Sequence, residues 1–128
     1  MFEIRVKEEF EAAHRIAGYP GKCDRLHGHS WVVEAVVQGR ELDSLGMLVD
    51  FKAVKGTLKG ILDGLDHQYL NEMEPFASGL NPTAEQLAKY IYEKMAESEL
   101  FAKQGTAKLS AISVWESPHS SVTYFPER

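Results

Sequence analysis

Three of the five histidines in this 128-residue chain stand at positions 14, 27 and 29. In an extended strand residues i and i+2 point to one face, so the imidazoles of His27-Gly28-His29 can converge on a single ion. Gly28 leaves room on the opposite side. Three neutral imidazoles with an open fourth position are the donor set of a catalytic zinc rather than a closed structural one, and the opening admits water or a substrate oxygen. A lone His-x-His arises readily by chance. A third histidine and a nearby cysteine move the reading toward metal. That cysteine, Cys23, is the only one in the chain. It reads equally as a fourth ligand, a catalytic thiol or an inert buried one, although flanking Lys22 and Arg25 in a loop favour a reachable, reactive thiol.

Two other positions carry chemistry. Asp66-His67 sets a carboxylate beside an imidazole, which can fix the ring's tautomer. Side chains of adjacent residues seldom bond well, however, and a solvated cluster at a helix end is the plainer reading. Glu116, in Trp115-Glu116-Ser117-Pro118, ends a parity otherwise held by Ile112 and Val114. It is either exposed at a strand terminus or aimed into a pocket. His119 has no evident partner and reads as a surface residue.

These residues must be positioned by regular elements. Phe2, Ile4, Val6, Phe10, Ala12 and His14 share one parity while Glu3, Arg5, Lys7, Glu9 and Glu11 share the other, which predicts a strand with one buried face. Gly18, Pro20 and Gly21 mark a loop over 15–26. Residues 27–39, rich in Val, predict a second strand. A hairpin of the two brings His14 beside His27 and His29. Phe51, Val54, Leu58, Ile61, Leu62 and Leu65 recur at helical spacing behind Asp50, a suitable N-cap. Gly56, Gly60 and Gly64 weaken that helix by about 1 kcal/mol each relative to Ala. Thr83-Ala-Glu-Gln86 matches a capping box and opens a helix with the face Ala84, Leu87, Ala88, Ile91 and Met95. Strands over 108–116 and 120–125 follow. The order ββααββ predicts an α+β fold, a four-stranded antiparallel sheet with two helices on one face. Phe2–Ala12 and Trp31–Val37 are expected to leave apolar surface on the other face, and the two open edges predict oligomerisation.

Length and composition fit one domain, 1–128, with 44% hydrophobic and 26% charged residues. Nineteen acidic against fourteen basic residues give a net charge of −5, which argues against broad electrostatic binding to nucleic acid or an anionic membrane. The single cysteine excludes a disulfide framework and a multi-cysteine zinc finger. The charged N-terminus has no signal-peptide core, and no apolar run approaches the roughly 18 residues of a membrane span. A cytoplasmic setting is expected.

The set Phe10-Glu-Ala-Ala-His14-Arg, Cys23-Asp-Arg-Leu-His27-Gly-His29, Leu48-Val-Asp-Phe51, Leu65-Asp-His67, Asn81-Pro-Thr-Ala-Glu85 and Val114-Trp-Glu116 resembles the 6-pyruvoyltetrahydropterin synthase family, in order and over nearly the whole chain. The short gap from Cys23 to His27 is similar to the bacterial branch, 6-carboxy-5,6,7,8-tetrahydropterin synthase of queuosine biosynthesis. The resemblance implies the tunnelling fold, in which three subunits join their sheets into a twelve-stranded barrel and two trimers stack into a homohexamer. It implies Zn2+ on His14, His27 and His29, Cys23 as the proton-abstracting base, and Asp66 and His67 as a relay that serves a Cys23 of a neighbouring subunit. Glu116 would anchor the guanidine-like edge of a pterin, with Thr83 and Ala84 helping to hold it. Ala84 departs from the Ser or Thr frequent in relatives, so any contact there would be through the backbone. The implied enzyme is a carbon–oxygen and carbon–carbon lyase. It takes 7,8-dihydroneopterin triphosphate to 6-carboxytetrahydropterin, acetaldehyde and triphosphate, whereas the sister branch eliminates triphosphate only. Lys22, Arg25 and Arg15 are candidate cations for the triphosphate.

A rival from another class is a cupin-like metal-binding barrel, because Gly21-x5-His27-x-His29-x4-Glu34 fits the start of the first cupin motif. Gly39 follows Glu34 too soon, Glu34 lies on the parity opposite the histidines, and the later half reads as helical. A zinc-stabilised, non-catalytic pterin-binding module is the other alternative.

Overall fold

The computed structural model describes residues 1–103 and 105–127. Strand β1 spans Phe2–His14 and β2 spans His27–Gly39. They form a long antiparallel hairpin whose pairing runs from Phe2 with Gly39 to His14 with His27. The loop that joins them contains one 3-10 turn, Lys22–Asp24. Helix α1 covers Phe51–Asp63, and its N-cap Asp50 accepts from the Lys52 amide as expected. Gly56 and Gly60 sit on its exposed side with nothing near them. Phe51, placed by periodicity on the buried face, is 56% exposed instead. Val54, Leu58 and Leu62 carry the packing.

Helix α2 covers Ala84–Glu97, and Thr83 caps it by accepting from the Gln86 amide at 3.1 Å. The second half of a capping box is replaced: the Thr83 amide donates to the Asn81 carbonyl. A four-residue helix α3, Glu99–Ala102, was not expected. Strands β4, Lys108–Ser117, and β5, Ser120–Tyr124, complete the sheet.

The sheet differs from expectation in one respect. It has five strands in the order β3-β1-β2-β4-β5, because Gln68–Tyr69 forms a short β3 parallel to β1, with Ala12 opposite Gln68 and Ala13 opposite Tyr69. Two residues are too few to leave a periodic signal. Val6, Phe10, Trp31, Val33, Val37, Ile112 and Val114 pack against Val54, Leu58, Leu62, Leu87, Ile91 and Met95 of the helices. His14, His27, His29 and Glu116 share the parity of that core face, at one end of the sheet.

The expected apolar surface on the opposite face is a correction. One strand carries one apolar parity, and the helices take it. The other face bears a polar lattice: Arg5 bonds Glu34 at 2.8 Å and also Glu3, Gln38 bonds Glu3, and the Ser30 hydroxyl lies within 2.9 Å of both Glu11 carboxylate oxygens. Glu34 therefore faces away from the histidines, which with two helices in the chain removes the cupin reading. No described helix is long and apolar enough to cross a membrane.

Candidate active site

The hairpin register makes His14 and His27 direct cross-strand partners and puts His29 two residues further along the same face. Ring centroids lie 4.5, 5.2 and 4.8 Å apart, each pair steeply inclined, so the three rings form an edge-to-face cluster. Together with Glu116 they form a group whose potential ligand atoms all lie within 4.8 Å of one another.

Backbone carbonyls set the tautomers. His14 Nδ1 lies 2.7 Å from the Pro82 oxygen and His27 Nδ1 lies 2.7 Å from the Arg25 oxygen. A carbonyl only accepts, so each Nδ1 carries the proton and each Nε2 keeps a free lone pair. His14 Nε2 and His29 Nε2 are buried without a hydrogen-bond partner. Glu116 Oε1 approaches them at 3.4 and 2.8 Å, but neither approach has hydrogen-bond direction. Orphaned buried polar atoms are costly, and these are soft nitrogen donors with a carboxylate beside them. The residues fit a zinc ion. Burial, the largest influence, pushes the His14 and His29 imidazoles below their ordinary value of 6.5, which keeps them neutral at pH 7 as metal ligation requires.

Glu116 is thus aimed into the site and not merely exposed at the end of β4. Its adjacency to His29 follows from β4 pairing with β2, with Val114 opposite Val33.

Asp66 and His67 do bond: Nδ1 lies 2.9 Å from Asp66 Oδ2. The expected obstacle, their adjacency, is removed by backbone shape. His67 has a left-handed φ of 58°, which turns its ring back on its neighbour. β1 holds the pair at two points, since the Glu11 amide donates to Asp66 Oδ1 and the His67 amide donates to the Glu11 carbonyl. The Glu11 amide, and then His67, hold the Asp66 carboxyl below its ordinary value. His67 and His29 line one open depression of about 490 Å³ with Glu11, Ser30 and Tyr69.

Cys23 stands outside the ligand group, half-buried in its 3-10 turn. Among the described residues no hydrogen bond or ion pair joins its side chain to Asp66 or His67. Arg15 is committed to Asp24 through Nε to the carbonyl and through an ion pair to the carboxylate. Lys22 and Arg25 form no described ion pair. Thr83 spends its oxygen on the helix cap, and Ala84 packs into the core. Sequence reasoning missed the Pro82 and Arg25 carbonyls, for which no side-chain signal exists.

Residues 3–127 match the sequence model of the 6-pyruvoyl tetrahydropterin synthase family. The chain is 35% identical over 133 residues to the 6-carboxy-5,6,7,8-tetrahydropterin synthase of Synechocystis sp., covering 100% of this chain and 96% of the relative. It is 34% identical over 131 residues to the protein of that name from Bacillus subtilis, covering 99% and 87%. Among solved structures, 6-pyruvoyl tetrahydropterin synthase of Caenorhabditis elegans is similar with a TM-score of 0.84 and 25% identity, over 98% of this chain and 96% of that one. The Plasmodium vivax enzyme shares the fold, with a TM-score of 0.78 at 20% identity over 99% and 98% of the two chains. The chain belongs to the 6-pyruvoyl tetrahydropterin synthase family.

Proposed function

We propose that this protein is a zinc-dependent 6-carboxy-5,6,7,8-tetrahydropterin synthase. It converts 7,8-dihydroneopterin triphosphate to 6-carboxytetrahydropterin, acetaldehyde and triphosphate, and acts in queuosine biosynthesis in the cytoplasm. The observation that carries the reading is the convergence of three imidazoles with two buried, unpartnered Nε2 atoms at the end of the β1–β2 hairpin. The name borne by the bacterial relatives supports the substrate class.

His14, His27 and His29 hold the metal. When bound, zinc supplies Lewis acidity toward the two neighbouring hydroxyl oxygens of the substrate side chain. The Cys23 thiolate removes the carbon-bound proton. His67, with Nδ1 tied to Asp66, has Nε2 free to return or shuttle a proton. Because Asp66 and His67 form no described bond to Cys23 of their own chain, the relay serves a neighbouring subunit, in a homohexamer whose barrels use the exposed edges β3 and β5. Glu116 accepts from the two parallel N–H groups of the pterin edge. Thr83 and Ala84 hold the pterin through the free backbone amides at the start of α2. Lys22 and Arg25 face the triphosphate.

Elimination of triphosphate alone, to a 6-pyruvoyl product, is the second reading, favoured by the likeness to the C. elegans enzyme. The base assignment is tested by Cys23→Ala. Turnover should be lost with zinc content unchanged. Full activity, or loss of zinc, would overturn it.

A further inference from the structure

The stretch that leaves β1 is held in an unusual way. The Arg15 amide donates to Asn71 Oδ1 and Asn71 Nδ2 donates back to the Arg15 carbonyl, both at 2.9 Å. Two residues on, the Ala17 amide donates to Asn81 Oδ1 at 3.0 Å, and Asn81 Nδ2 donates to the Ala17 carbonyl at 3.1 Å. Each carboxamide takes both polar groups of one residue, as a neighbouring strand would. Between them the Ile16 amide faces the other way and donates to the Cys23 carbonyl at 2.7 Å. Residues 15–17 therefore behave as a strand whose one edge is closed by two side-chain amides and whose other edge grips the residue carrying the thiol. The Arg15 side chain adds a second grip, on Asp24.

The two asparagines come from the far side of the fold. Asn71 lies just beyond β3, in the 3-10 turn Leu70–Glu72. Asn81 directly precedes Pro82, whose carbonyl accepts from His14 Nδ1, and Thr83, which caps α2. The tripeptide Asn81-Pro82-Thr83 thus ties the Cys23 loop and the histidine cluster to one helix terminus.

We propose that Asn71 and Asn81 are positioning residues that fix the Cys23 loop relative to the three-histidine centre. This rests on the assignment of Cys23 as the base. A loop of twelve residues containing Gly18, Pro20 and Gly21 has little of its own to define a thiol position, and proton transfer from carbon is sensitive to misplacement of the base by about 1 Å. Two bidentate amide clamps supply the missing definition. Neither residue touches substrate in this account.

The test uses zinc-loaded, full-length protein, in which Cys23 is the sole target for iodoacetamide. Asn71→Ala and Asn81→Ala should each change the alkylation rate of Cys23 at least threefold. They should lower kcat about tenfold to a hundredfold with KM held within about threefold, and keep one zinc per chain. Leu58→Ala, a buried core change remote from the loop, is the control for simple destabilisation and should lower the melting temperature without moving the other two readouts. Folded Asn71→Ala and Asn81→Ala proteins that keep both alkylation rate and kcat within about twofold of wild type would overturn the proposal. Where an alanine variant does not fold, Asn71→Asp and Asn81→Asp, which keep the acceptor and lose the donor, decide by the same readouts. A fully active Cys23→Ala protein would remove the base assignment alone. The alkylation rate would then judge the clamp by itself.

Discussion

His14 Nδ1 lies 2.7 Å from the carbonyl oxygen of Pro82, 68 residues away. That bond makes the start of α2 an outer-shell partner of the metal centre, and partners of this kind typically change metal affinity about tenfold to a hundredfold when disturbed. Thr83→Ala removes the adjacent helix cap, which costs about 1 kcal/mol. It should also weaken zinc binding by about tenfold, read by competition with a chelating dye. Unchanged zinc affinity in a protein with a lower melting temperature would separate the cap from the metal.

Glu116 stands both beside His29 and where a pterin edge could meet it. Glu116→Gln keeps the shape and loses the charge. As a substrate anchor it should lower kcat/KM about tenfold to a hundredfold, from the roughly 1.5–3 kcal/mol of a charge-assisted bond, with zinc retained. Loss of zinc on purification would make Glu116 a ligand instead.

The left-handed backbone of His67 separates strain from chemistry. His67→Gly should be at least as stable as wild type, since glycine adopts φ of 58° freely, and yet be inactive. His67→Val should be destabilised by about 1–2 kcal/mol, measured by urea unfolding. Equal stability of the two variants would contradict the conformational argument.

Asp66 gives a pH dependence of known sign. Its carboxyl is held below the ordinary 3.8, chiefly by the Glu11 amide and then by His67. A depressed carboxyl contributes stability in full above its unfolded value and loses it as pH falls through the folded one. In metal-free protein, the gap in urea midpoint between wild type and Asp66→Asn should be full near pH 6, about two units above the unfolded value, and close below 3.8. A gap that widens on acidification would reverse the assignment.

Much of this was legible from residue order. The parity of β1 located the buried face, Asp50 and Thr83 marked helix starts that their side chains do cap, and the hairpin brought His14 to His27. The rest depended on long-range geometry. β3 is two residues long, Glu116 reaches His29 only through the β2–β4 register, and the Asp66–His67 bond needs a backbone conformation uncommon for histidine. The outer sheet face was misjudged because apolar parity was counted for both faces at once. Asn81 stood in a recognised motif, but nothing local announced that its amide closes a strand edge sixty-four residues away.

The most direct measurement is the product balance of zinc-loaded protein incubated with 7,8-dihydroneopterin triphosphate. The account predicts acetaldehyde and triphosphate released in equal amounts, with 6-carboxytetrahydropterin as the pterin product. Triphosphate with a 6-pyruvoyl pterin and no acetaldehyde, or a bound substrate that never turns over, would contradict it.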